Sequence, residues 1–127
     1  MLRSRQIIML DTITADKEMA GYIEELVPRG AVYDIQGWAI LPASLRAADA
    51  VFLAYGSPGG ETLFQIAEKQ SRADVSRCFH KPELVLAGWR ARSNRTEVPE
   101  GEKRITAWAF DSNRATFHEL RNPLTLP

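Results

Sequence analysis

The 127-residue chain carries sixteen basic and sixteen acidic side chains, 45% hydrophobic residues and 25% charged ones. That is enough length and apolar content for one ordinary domain with its own core, and it excludes a disordered or fibrous class. The balanced charge lacks the electrostatic footprint of a protein that tracks nucleic-acid phosphates, so no nucleic-acid partner is expected.

Residues 1–20 show no clean period of two, and Asp16-Lys17-Glu18-Met19 is more helical or irregular than extended, so this stretch reads as a leader. From Gly21 the texture changes to short runs rich in branched and aromatic residues, separated by Pro, Gly and Asn clusters. That texture predicts seven strands: Tyr22–Val27, Val32–Leu41, Ala50–Tyr55, Thr62–Ala67, Leu84–Arg92, Lys103–Phe110 and Thr116–Leu120. Breakers such as Pro28-Arg29-Gly30, Gly56-Ser57-Pro58-Gly59-Gly60 and Pro99-Glu100-Gly101 fall between them. The interval Asp74–Phe79 has apolar positions three and four apart behind a residue suited to an N-cap, which predicts one or two helical turns. Residues 21–127 are therefore expected to form a single all-β domain, a two-sheet antiparallel immunoglobulin-like β-sandwich with one short helix; a barrel is the alternative.

All three tryptophans stand beside small residues in predicted strands: Gly37-Trp38-Ala39, Gly88-Trp89-Arg90 and Ala107-Trp108-Ala109. Successive side chains of a strand point to opposite faces, so each pattern loads one face with an indole and leaves the other nearly bare. Arg90 and Arg92 are opposite in parity to Trp89, which places Trp89 in the core with Val85, Ala87 and Ala91. Trp38 shares parity with Gln36 and Ile40, and Trp108 with Thr106 and Phe110, which turns both rings outward. Two outward indoles with Gln36 and Thr106 as hydrogen-bonding neighbours suit the stacking platform of a carbohydrate site. The competing reading is that the leader or an edge loop covers that face, because tryptophan is usually largely buried.

Arg72, two residues before Asp74, reads structurally: Asp74 caps the helix and Arg72 pins the preceding loop. Gly37 and Gly88 serve packing beside the tryptophans. The Gly56–Thr62 loop lacks the lysine of a phosphate-binding loop and the spacing of a nucleophile elbow. His80 and His118 have no second metal ligand at a known spacing, and the lone Cys78 supplies neither an internal disulfide nor a zinc site by itself, so no metal and no cofactor are expected. Glu24, Glu25, Glu61, Glu97, Glu100 and Asp111 are scattered, and spacing selects no catalytic pair among them. Asn94-Arg95-Thr96 matches a glycosylation acceptor without further support. The apolar run Ile7-Ile8-Met9-Leu10 is shorter than the roughly 7–15 residues of a secretory signal core, and no stretch is long enough to span a membrane.

The combination Gly37-Trp38-Ala39-Ile40-Leu41-Pro42, Ala48-Asp49-Ala50-Val51-Phe52-Leu53, Arg72-Ala73-Asp74-Val75, Gly88-Trp89 and Ala107-Trp108-Ala109-Phe110-Asp111 resembles a bacterial β-sandwich module. That module follows the last membrane span of some multi-spanning glycosyltransferases and related hypothetical membrane proteins, especially in cyanobacteria and proteobacteria. The likeness runs from about Gly21 to Leu120. It implies a non-catalytic, extracytoplasmic (periplasmic) accessory domain, since transfer chemistry in such proteins resides in the membrane part. Residues 1–20 would then be a juxtamembrane connector, and the membrane would be reached only through a parent chain. A free-standing relative would instead be cytoplasmic. The expected partner is a protein, through an interaction module, or a glycan, through the tryptophan face; an enzyme ranks third.

Overall fold

In the hairpin that opens the described structure, β1 (Gly21–Arg29) pairs antiparallel with β2 (Val32–Leu41). Gly30, at φ 63°, takes the left-handed turn conformation that glycine adopts without steric cost. The computed structural model describes residues 20–42 and 44–126. They form two antiparallel sheets facing each other, an all-β two-sheet sandwich carrying one α-helix among the described residues.

Sheet 1 has the order β1-β2-β7-β6, with β7 at Gly88–Asn94 and β6 at Glu68–Gln70, and the two-residue β3 (Arg46–Ala47) attached to β2. Sheet 2 has the order β10-β8-β4-β5, with β4 at Ala50–Tyr55, β5 at Thr62–Ile66, β8 at Arg104–Asp111 and β10 at Leu124–Thr125; β9 (Thr116–Glu119) also pairs with β8. Between β9 and β10 the chain leaves β8, and Arg121 reaches across to sheet 1. There its N–H donates to the Gly21 carbonyl at 2.9 Å and its carbonyl accepts from Ile23 N at 3.0 Å.

Alternation decides which residues meet between the sheets. Tyr33, Ile35, Ala39 and Leu41 of β2, Trp89 and Ala91 of β7, and Ile105, Ala107 and Ala109 of β8 all enter the central cluster. In β1 the parity changes at a bulge, where Ile23 opposes Gly37 and Glu25 opposes Gln36 so that Glu24 is the extra residue. Ile23 before the bulge and Leu26 after it both reach the core.

The glycine–tryptophan pattern has a specific cause. Gly37 stands opposite Trp89 and clears space for its indole, whereas Gly88, opposite Trp38, clears space for the Arg72 side chain and the Gln70 carbonyl. A Cβ on Gly37 would come within 2.8 Å of Trp89 Cζ2 and would collide with the Tyr22 carbonyl.

Two expectations need correction. The strand expected over Leu84–Arg92 starts at Gly88, because Pro82 opens a 3-10 helix over Pro82–Leu86. Val85 is consequently exposed instead of joining Trp89, and Ala87 enters a separate cluster beneath the helix. The helix α1 spans Ala73–Phe79, but its N-cap position is Arg72 and carries no side-chain cap bond; the Asp74 carboxylate is taken by the Arg72 guanidinium. The leader or connector expected at 1–20 lies outside the described residues except for Ala20, which is buried and accepts a hydrogen bond from Ile40 N.

Candidate functional site

Side chains that avoid the central core stand on the two outer faces, and the surface chemistry is concentrated there. On sheet 1, half of the outer face is roofed. Trp38 and Ile40 lie beneath α1 and the 3-10 helix with Val75, Leu84 and Ala87, and the Trp38 ring meets Phe79 edge-on at 6.0 Å and Tyr22 at 5.8 Å. Arg72 fastens this roof to the sheet, its guanidinium held between Asp74 (Nη2–Oδ2 2.8 Å) and the bulged Glu24 (Nη1–Oε1 2.5 Å). The same bonds hold the Asp74 carboxyl down at about 2 and keep the Arg72 guanidinium above its usual range.

The other half of this face is open and polar. Asp34, its side chain 8% exposed, receives Arg90 in a two-bond fork (Nε–Oδ1 2.8 Å, Nη2–Oδ2 2.6 Å), while Arg29 approaches at 3.4 Å and Arg92 at 3.8 Å. The hydrogen bonds from Arg90, opposed by burial and aided by the charges of all three guanidiniums, hold the Asp34 carboxyl below its ordinary value. Glu68 also acts on Arg90 through space. Beside these residues runs a groove of about 370 Å³ lined by Gln65, Ile66, Glu68, Gln70, Arg90 and Arg92.

The charge arithmetic here is the reverse of that at three other arginines. Arg46 lies between Asp49 (2.8 Å) and Asp111 (3.5 Å), Arg72 between Glu24 and Asp74, and Arg104 between Glu61 (3.5 Å) and Glu119 (3.4 Å). Each of those places sets two carboxylates on one guanidinium. At Asp34 three guanidiniums meet one carboxylate, and the side chains of Arg29 and Arg92 are 61% and 66% exposed. Of these groupings, spacing singles out only the Arg72–Asp74 pair; Asp34 and Arg90 lie 56 residues apart in sequence.

The outer face of sheet 2 is aromatic. Phe52, Ala54, Leu63 and Trp108 form a buried cluster with Phe110 and Phe117 packed against it, and Phe117 lies 4.8 Å from Phe110 and 5.6 Å from Phe52. Trp108 is 2% exposed, and its Nε1–H donates to Thr106 Oγ1 at 2.9 Å. The Glu119 carboxyl at the edge of this face is pushed up by burial, against the pull of Arg104.

The expected carbohydrate platform is corrected by this arrangement. Trp38 and Trp108 do stand outward of their own strands, but on opposite outer faces of the sandwich, so their rings never form one surface. Thr106 is fully buried and its hydroxyl already serves Trp108; Gln36 is exposed and reaches Glu25 at 3.5 Å. Among the described residues no three His, Cys, Asp or Glu side chains converge as metal ligands, and no helix is long and apolar enough to cross a membrane. Comparison with known proteins finds no matching family model, no similar curated protein and no similar solved structure.

Proposed function

We propose that this chain is a non-catalytic protein-interaction domain that recognises a carboxylate-rich partner through the open half of sheet 1. The observation that carries this reading is the guanidinium surplus at Asp34. A carboxylate held by Arg90 keeps Arg29 and Arg92 at one spot on a flat, accessible sheet face, where forked guanidiniums are suited to a second carboxylate. Glu68 offsets part of the surplus, which favours a partner of defined shape over any polyanion. The resemblance to the module of membrane glycosyltransferases supports an accessory role in a membrane-associated bacterial protein, on the extracytoplasmic side, and counts the sandwich as immunoglobulin-like.

The test is calorimetric titration of the full chain with a hexaglutamate peptide at low salt. Saturable binding is expected, weakened several-fold by either Arg29→Ala or Arg92→Ala and lost at high salt. Absence of binding, or binding indifferent to both substitutions, removes the reading. A glycan reading rests on the half-buried Trp38 beside the exposed Gln36. Saturable fluorescence quenching by envelope oligosaccharides that disappears in Trp38→Ala would favour it instead.

A further inference from the structure

β7 runs to Asn94, but its pairing with β6 ends at Arg90, opposite Glu68. Just before β6 the chain belongs to sheet 2 as β5, so sheet 1 has a notch where its edge strand stops. A side chain stands in for the strand there. Gln65 Nε2–H donates to the Arg92 carbonyl at 2.9 Å, and the Ser93 hydroxyl donates to Gln65 Oε1, which ties β5 to β7 across the notch. The groove of about 370 Å³ beside the Asp34 cluster lies along it. Two side chains in its lining present unlike chemistry side by side. Ile66 is 56% exposed, more than any other large hydrophobic residue among the described residues. Arg92 stands opposite Asp34 in the β2–β7 register, but both Asp34 oxygens serve Arg90, and the Arg92 guanidinium stays 3.8 Å away and largely in water.

We infer that the partner's recognition segment carries an apolar side chain next to its carboxylate, the carboxylate meeting Arg92 and the apolar side chain covering Ile66 in the notch. This rests on the carboxylate-binding role proposed for the open face and names what that role selects. Charge complementarity sets the first half. The Arg92 guanidinium has donors that Asp34 does not take, and its planar fork matches a carboxylate. The second half comes from burial: an exposed isoleucine beside a charged anchor gains when an apolar side chain removes it from water. The same cover lowers the local dielectric at Arg92 and strengthens its ion pair. Glu68, opposite Arg90 and in the same lining, acts against a run of carboxylates, because a second acidic side chain placed there meets its charge. An apolar side chain meets no such repulsion. Gln70, exposed and also in the lining, has an amide able to donate to and accept from the segment's main chain.

The test is calorimetric titration of the full chain at low salt with two hexapeptides of equal charge, Glu-Glu-Leu-Leu-Glu-Glu and Glu-Glu-Ser-Ser-Glu-Glu. The leucine peptide is expected to bind about tenfold more tightly. In Ile66→Ser that preference is expected to disappear while the serine peptide binds as it does to the parent, and Arg92→Ala is expected to weaken both peptides. A second measurement needs no substitution: with labelled isoleucine methyls, the Ile66 resonance of the parent chain is expected to move on adding the leucine peptide and to stay in place with the serine peptide. Should Ile66→Ser fail to fold, the methyl resonance decides alone. Equal affinity of the parent for the two peptides overturns the inference and leaves the carboxylate-binding reading standing. A leucine preference that survives Ile66→Ser, or an Ile66 methyl indifferent to the leucine peptide, places the apolar contact elsewhere and overturns it too. Binding of neither peptide removes the reading and the inference together.

Discussion

Trp38 and Trp108 occupy equivalent places, each outward on a central strand of its sheet, and the protein treats them differently. Trp38 stays half-buried under a roof made of a seven-residue helix and a 3-10 turn, held down by a three-member ion cluster at Arg72. Trp108 is almost fully withdrawn among phenylalanines, with its one polar atom satisfied by Thr106 two residues away on the same strand and the same face. Outward parity therefore says nothing about exposure. What lies over the strand decides it, and the two outer faces differ there: sheet 1 is half roofed and half ionic, whereas sheet 2 is apolar along its centre.

The sharpest way to break the comparison is to truncate both rings. Trp108→Ala is expected to cost about 3–5 kcal/mol through lost burial and a cavity, as is Trp89→Ala in the central core, whereas Trp38→Ala should cost about 2 kcal/mol because less ring area leaves water. Urea melts of the three variants give the order directly. Equal losses at Trp38 and Trp108 would mean that the two faces are covered alike.

Next in size are the two glycines of the paired strands β2 and β7. Gly37→Ala forces a methyl against the Tyr22 carbonyl and the Trp89 indole, and Gly88→Ala against the Arg72 side chain and the Gln70 carbonyl. Each is expected to lose about 1–3 kcal/mol in the same melts, by overpacking. A neutral Gly88→Ala would show that the β6–β7 edge yields more easily than the centre of the sheet.

Asp34→Ala leaves Arg90 without its forked partner and three guanidiniums close together. The expected loss is about 1–2 kcal/mol, limited because the arginines remain partly in water, and it should shrink as salt rises. The ionic half of sheet 1 should respond to salt in this way, and the aromatic face of sheet 2 should not.

The smallest effect is a pH dependence. Asp34, Asp49 and Asp74 are all held below their ordinary values by guanidinium hydrogen bonds, with the Ser112 backbone N–H assisting at Asp49. A depressed folded-state pKa gives stability that is complete above the unfolded value near 3.9 and is lost as pH falls through the folded value, which for Asp74 is about 2. Glu119 has the opposite sign: its raised pKa means that stability declines as pH rises above the ordinary glutamate range. Denaturation midpoints between pH 5 and 2 should fall on acidification, and Arg46→Gln should flatten that slope by releasing Asp49. An unchanged slope would detach the Arg46 cluster from acid stability.

Much of the fold was legible because strand period and breakers are local properties. Val32–Leu41 and Ala50–Tyr55 were bounded as they stand, the short helix was placed after Arg72, and the inward parity of Trp89 and outward parity of Trp38 and Trp108 followed from alternation alone. The two-residue strands escaped notice because so short an element has no period to read, and the exposed Glu68–Gln70 has no apolar face to announce it. Turning Leu84–Leu86 from strand to 3-10 helix took Pro82 together with the docking of that turn on α1, a contact between segments and not a property of either. The ion clusters and the coverage of the two tryptophans were decided by tertiary structure for the same reason. Arg90 finds Asp34 across 56 residues, and Trp38 and Trp108 are sent to opposite sides of the molecule, because sheet pairing sets distances that sequence separation does not encode. Alternation fixes which side of its own strand a residue takes; only the stacking of layers fixes what that side meets.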